Sequence, residues 1–280
     1  MKSTAFFKTT LLLGLMTGLF VAVGYLLGGQ SGMMMALVFA VLMNFFTYWF
    51  SGTMVVKMQG ASPLDTTQYA YVEKAVRELI EKDNLPMPKL YFVDTPIPNA
   101  FATGRSPKHA VVAVTRGITE ILDEKELKAV LAHELGHVKN YDMLVSTIAA
   151  SIGGAISMLA QMAMFFGGND EDAPNPIAAI AMMILAPFAA MMIQMAVSRG
   201  REFGADAHGA ELMGSGHDLA NALRKLEQIK PALANVRPTP NQEATQHLMF
   251  ANMFNMQGLA GLFSTHPSIE ARVARLERLR

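Results

Sequence analysis

Apolar residues in this chain follow two patterns: long unbroken runs, and shorter stretches in which they recur every three or four positions. No charged residue occurs from Thr9 to Val56. About 20 helical residues, rising about 1.5 Å each, cross a hydrocarbon core of about 30 Å. The run therefore predicts two spanning helices, near Thr10 to Leu27 and Met33 to Phe50, with a turn at Gly28-Gly29-Gln30-Ser31-Gly32. Two further uncharged runs, Met143 to Phe166 and Ile177 to Val197, predict a second hairpin, with Pro187 kinking the fourth span.

The periodic stretches lie between and after these runs. Tyr69, Val72, Val76, Leu79 and Ile80 mark an amphipathic helix that ends before Asn84-Leu85-Pro86. Lys89 to Val93 and His109 to Val114 read as strands, and Asn99 to Thr103 as a third. Leu127, Val130, Leu131, Leu135 and Val138 recur at helical spacing behind Asp123 and Glu126, which are spaced as a capping box. Lys125, Glu126, Lys128 and Lys139 mark the wetter face of that helix. Polar residues from Ser198 to Asp206 lead into a further helix. Leu219, Leu223 and Leu226 predict another, and Ile269, Val273 and Leu276 a last one starting near Pro267 and Ser268. Lys230 to about Thr245 reads as a loop.

Composition adds a location. A mean hydropathy of +0.27 with 51% hydrophobic residues is too apolar for an ordinary soluble enzyme. Lys2, Lys8, Lys57, Lys139, Arg199 and Arg201 lie at span ends on one side, whereas the turns facing the other side carry no Lys or Arg. The positive-inside bias makes the termini and the polar portions cytoplasmic. The absence of cysteine fits a reducing compartment. A net charge of +0 without a basic aromatic stripe gives no reason to expect nucleic-acid binding. Gly14-x-x-x-Gly18 and Gly24-x-x-x-Gly28 offer close helix approach and are the only hint of a homo-oligomer.

The chemistry is carried by His133-Glu134-Leu135-Gly136-His137. Residues four apart stack on one helix face about 6 Å apart, so two imidazoles reach one metal ion at about 2.0 Å. Zinc lowers the pKa of a bound water to about 7, and Glu134 stands where a carboxylate would take that proton and hand it to a leaving amine. Zinc needs a third protein ligand, which in a chain without cysteine is His, Glu or Asp. Glu202 is the best candidate, because Asp206 follows one helical turn later and is placed to accept the free ring N–H of a ligand histidine. Glu202 can rejoin the pentad only if the intervening chain leaves and re-enters one side of the membrane, which two spans achieve. A small sheet beside such a helix is expected to bind an extended peptide along its edge, and the pattern does not identify the edge strand.

His133-Glu134-x-x-His137, the transmembrane hairpins, Arg201-Glu202-Phe203-Gly204-Ala205-Asp206, His266-Pro267, Asn99-Ala100-Phe101-Ala102 and Gly104 together closely resemble the HtpX family of bacterial membrane zinc proteases, relatives of the CAAX prenyl endopeptidases. The resemblance covers nearly the whole chain. It implies a stress-associated zinc endopeptidase of the bacterial inner membrane, with a cytoplasmic site, that removes damaged or misassembled membrane proteins. His133, His137 and Glu202 would then be the ligands of one Zn2+ and Glu134 the acid/base. The expected fold is a mainly α membrane protein: four transmembrane helices in two hairpins with a cytoplasmic α+β zincin-like catalytic domain. Its parts are an N-terminal hairpin (1–56), the first catalytic portion (57–142), the second hairpin (143–198) and the second catalytic portion (199–280). His266, Arg199 and Arg201 are candidates for stabilising the oxyanion or contacting substrate, and Asn99 to Ala102 for a substrate-binding strand.

Overall fold

The structure, a computed structural model, describes residues 2–148, 199–233 and 267–279. Helical hydrogen bonding runs through the whole first apolar region as α1 (Lys2–Met58), yet the chain doubles back within it. Asn44 Nδ2 donates to the Leu13 carbonyl at 3.2 Å and to Thr17 Oγ1 at 2.8 Å, and the Phe20 and Phe39 rings meet edge to face at 5.4 Å. In a straight helix Leu13 and Asn44 would be about 46 Å apart. Gly29 makes the reversal, with a left-handed φ of 57° that glycine adopts without strain. Gly24 meets the returning arm so closely that a Cβ there would lie 2.6 Å from the Gly32 carbonyl oxygen. Gly24 therefore serves a contact within the chain, whereas a Cβ at Gly14 or Gly18 would meet no atom within 4 Å.

Among the described residues one segment, Gly29–Phe50, is long and apolar enough to cross a membrane, and Thr9–Ala22 is a shorter apolar stretch. The start of the second uncharged run is helical over 142–148, where Leu144, Val145 and Ile148 pack on Met16 of α1. Its remainder, 149–198, lies outside the described residues.

The polar portion contains four strands: β1 (Ser62–Pro63), β2 (Lys89–Val93), β3 (Ala100–Thr103) and β4 (Val111–Thr115), in spatial order β1-β2-β4-β3. β2 runs parallel to β4, and β3 antiparallel to it. β3 therefore forms one edge of the sheet. Two short elements escape the hydrophobic pattern: β1, only two residues long, and α3 (Arg116–Ile121), whose N-cap Thr115 belongs to the preceding strand. The expected strand from His109 begins two residues later, because Pro107–His109 forms a 3-10 turn.

α2 (Ala70–Asp83) follows its predicted apolar stripe and ends where Asn84 turns left-handed. α4 (Glu124–Lys139) carries the pentad and opens with a complete capping box: Asp123 Oδ1 accepts from the Lys125 and Glu126 amides, each at 2.9 Å, and Glu126 Oε2 accepts from the Asp123 amide at 3.0 Å. Glu126 does not lie on a wet face; it is buried and paired with Lys225 at 2.6 Å. α5 (Arg199–Met213) lies along α4, and α6 (His217–Ile229) and α7 (Ile269–Leu276) close the other side. Val76, Val112, Leu131, Leu223 and Leu276 join these layers into one core.

Glycines set the spacing of α4 and α5. A Cβ on Gly209 would sit 3.1 Å from the His133 amide nitrogen, and one on Gly136 would sit 3.3 Å from Ala205 Cα. This close approach brings the acidic side chains of α5 level with the histidines of α4.

Candidate metal centre

The i, i+4 spacing on α4 turns His133 and His137 to one side, with their Nε2 atoms 3.2 Å apart. Glu202, in the first turn of α5, points at the same spot: Oε2 lies 3.8 Å from His133 Nε2, and Oε1 lies 3.6 Å from His137 Nε2. Ligand atoms from all three residues lie within 4.8 Å of one another. Bonds of about 2.0–2.1 Å in a tetrahedron put ligand atoms about 3.3 Å apart, so the cluster fits one ion with little adjustment. Two imidazoles and a carboxylate form a donor set suited to zinc.

A carboxylate stands behind each histidine. His133 Nδ1 lies 2.9 Å from Asp206 Oδ1, and His137 Nδ1 lies 3.4 Å from Asp142 Oδ2. An ionised carboxylate only accepts, so each Nδ1 carries a proton and each Nε2 turns toward the cluster. Asp206 is in turn gripped by Arg272 from α7, with Nη2 donating to Oδ1 at 2.6 Å and Nε to Oδ2 at 2.9 Å. Arg272 is 1% exposed, and its guanidinium also lies 3.8 Å from Glu202.

The surroundings tune these groups in different directions. Burial holds His133 down at about 4 against the opposing pull of Asp206. Burial also lowers His137, but Asp142 and the nearby Glu202 and Glu134 carboxylates outweigh it and push the imidazole up to about 9. Glu134 is pushed up to about 7, chiefly by burial, with the negative charge of Glu202 adding to it. A carboxyl group poised near neutrality suits both taking and returning a proton. Asp206 is buried as well, yet Arg272 and His133 hold it below 3.8 as an anion.

Glu134 is anchored by the sheet. Its Oε2 accepts from the Ala102 amide at 2.9 Å. The Asn99 carbonyl accepts from the Thr115 amide on the opposite side of the strand, so β3 directs its other edge, at Ala102, toward α4.

Of the candidates named from sequence, His133, Glu134, His137, Glu202 and Asp206 come together, and Ala100 to Ala102 form the adjoining edge strand, with Asn99 just before it. Arg201 is half-buried beside Asp142, with Nε 3.8 Å from Oδ1, behind His137 rather than in front of the donor cluster. Arg199 is exposed and, among the described residues, pairs with no group of the site. His266 lies outside the described residues. Sequence reasoning missed Asp142 and Arg272. Arg272 left a signal: with Ile269, Val273 and Leu276 it occupies the buried face of an amphipathic helix, where a charge needs a partner.

Residues 66–280 match peptidase family M48. The chain belongs to this family. It is 51% identical over 271 residues to a protease HtpX homolog of Methylibium petroleiphilum, covering 96% of this chain and 95% of the relative. It is 51% identical over 274 residues to a protease HtpX homolog of Persephonella marina, with the same coverage of 96% and 95%. Among solved structures, Ste24p of S. mikatae aligns over 94% of this chain with a TM-score of 0.51 at 19% identity, which is a likeness of fold. This M48 chain spans 62% of the length of that structure. The protein is thus a metallopeptidase whose described residues contain one cluster suited to a metal.

Proposed function

We propose that this M48 peptidase is a membrane-integrated zinc endopeptidase that cuts damaged or misfolded membrane proteins from the cytoplasmic side of a bacterial inner membrane, as part of a stress response. The observation that carries the reading is the convergence of His133, His137 and Glu202 beside a buried Glu134 that touches the edge of a sheet. His133, His137 and Glu202 hold the ion, which when bound supplies a Lewis acid and acidifies water at neutral pH. Glu134 takes the proton from the attacking water and delivers it to the departing amine. Asp206 and Asp142 fix the two rings, and the edge of β3 that faces α4 receives the substrate as an added strand.

The membrane address rests on the apolar Gly29–Phe50 segment, the charge-free runs and the one-sided Lys and Arg distribution. The four-span count and the domain limits at 56, 142 and 198 follow from the same runs. The chain leaves the site at 142–148 and rejoins it at Arg199–Met213, as a two-span excursion requires.

The test compares wild type with Glu134→Gln for cleavage of a reconstituted membrane substrate and for bound metal. The variant should keep its metal and lose proteolysis by at least about 100-fold. Wild-type cleavage rates in Glu134→Gln would refute the acid/base assignment.

A further inference from the structure

At the far end of β3 the sheet meets α1. A Cβ on Gly52 would lie 3.1 Å from Gly104 Cα, and Thr147 Oγ1 binds the Gly104 amide at 3.1 Å and Thr103 Oγ1 at 2.8 Å. Gly104, at φ 129°, turns the chain from β3 into the loop that carries Arg105. Arg105 places its guanidinium 4.1 Å above the Trp49 ring, bonds to the Trp49 carbonyl at 3.4 Å, and lies 2.9 Å from His109 Nε2.

Two features of this corner are unexplained by protein contacts. Phe45, Phe46, Trp49 and Phe50 form a ring-to-ring ladder, with centroids 5.8–6.1 Å apart, and are each 47–54% exposed. The arginine beside them has no carboxylate partner among the described residues. Arg77, Arg116, Arg201, Arg224 and Arg272 pair with carboxylates, whereas Arg105, like Arg199, Arg275 and Arg278, pairs with none among the described residues. A guanidinium has five N–H donors, and the partners of Arg105 use two, so it is held in place with donors to spare. Aromatic rings and arginine at the end of an apolar span suit the boundary between hydrocarbon and headgroups.

We infer that this corner is a lipid-headgroup contact, in which Arg105 binds the phosphate of an anionic phospholipid while the Phe45–Phe50 ladder lies in the underlying acyl boundary. The contact fixes the depth of the active site. Ala102 lies two residues from Gly104, about 7 Å along a strand, so the lipid contact and the Glu134 carboxylate lie beside the same short strand. A substrate segment just leaving the bilayer then meets the edge of β3 close to the end of its span. This consequence rests on the proposed function; the lipid contact itself does not.

Trp49 is the only tryptophan in the chain and reports on the contact directly. The full chain is reconstituted in phosphatidylcholine vesicles with or without phosphatidylglycerol, and Trp49 quenching by lipids brominated near the headgroup is measured. In wild type, quenching should rise with phosphatidylglycerol and fall with added salt. Arg105→Gln should lose roughly five-fold of the preference for phosphatidylglycerol, and Arg105→Lys should keep most of it. Cleavage next to the span of a membrane substrate should be faster in phosphatidylglycerol for wild type but not for Arg105→Gln, with equal cleavage of a soluble peptide by both. Equal phosphatidylglycerol dependence of quenching in wild type and Arg105→Gln would overturn the contact. So would loss of that dependence on adding inorganic phosphate but not chloride at matched ionic strength, which would mark a free-anion site. Intact lipid-dependent quenching without cleavage of any substrate would refute the protease reading and leave the contact standing.

Discussion

Replacing Arg272 with methionine removes the cation that neutralises Asp206 while keeping an apolar stem of similar length. Both groups are 1% exposed, and two hydrogen bonds of 2.6 and 2.9 Å join them. Deleting one member of such a buried pair leaves the other charged and unsolvated, at a cost of about 3–5 kcal/mol. The loss should be pH-dependent. Burial raises the Asp206 pKa and Arg272, with His133, holds it low, so removing Arg272 raises the folded-state pKa. The penalty is therefore full above the raised pKa and fades only as pH falls through the depressed wild-type value, below which Asp206 is protonated in every state. The assay is equilibrium unfolding of detergent-solubilised protein with chelator present, for Arg272→Met, Asp206→Asn and the double variant. Because the two residues form one unit, the double variant should be less destabilised than the sum of the singles by at least about 2 kcal/mol. A cost for Arg272→Met below about 1 kcal/mol, or additive effects, would show that the pair does not hold α7 to the centre.

Two other substitutions probe the same architecture. Asp142→Ala should weaken zinc binding about 10–100-fold, measured by competition with a chromophoric chelator, because His137 loses the carboxylate that orients its ring. Gly209→Val places a branched side chain where a Cβ alone would be 3.1 Å from the His133 amide nitrogen. The resulting separation of α4 and α5 should lower zinc content and cost roughly 1–3 kcal/mol in unfolding free energy.

The residues of the candidate metal site were legible where their spacing is local. His133 and His137 share a face by helical periodicity, and Asp206 follows Glu202 by one turn, so each pair converges whatever the rest of the fold does. The capping box at Asp123 and the α2 stripe were readable for the same reason. What sequence left open depends on contacts between distant segments. Arg272 reaches Asp206 across 66 residues, and Asp142 meets His137 only because the chain turns sharply through Tyr141, at φ 61°, as α4 ends. The strand pattern gave β2, β3 and β4 nearly to the residue but could not order them; β3 is at the edge because β4 pairs in parallel with β2. Glu126 was misplaced because a reciprocal cap and Lys225 satisfy a charge that periodicity alone assigns to water.

Metal content of purified wild type and Glu202→Ala, with Glu134→Gln alongside, tests the central claim most directly. Wild type and Glu134→Gln should each carry one zinc ion per chain, and Glu202→Ala should lose tight zinc binding with its helix content preserved. Undiminished zinc in Glu202→Ala, or its loss in Glu134→Gln, would contradict the assignment of His133, His137 and Glu202 as ligands and Glu134 as the proton carrier.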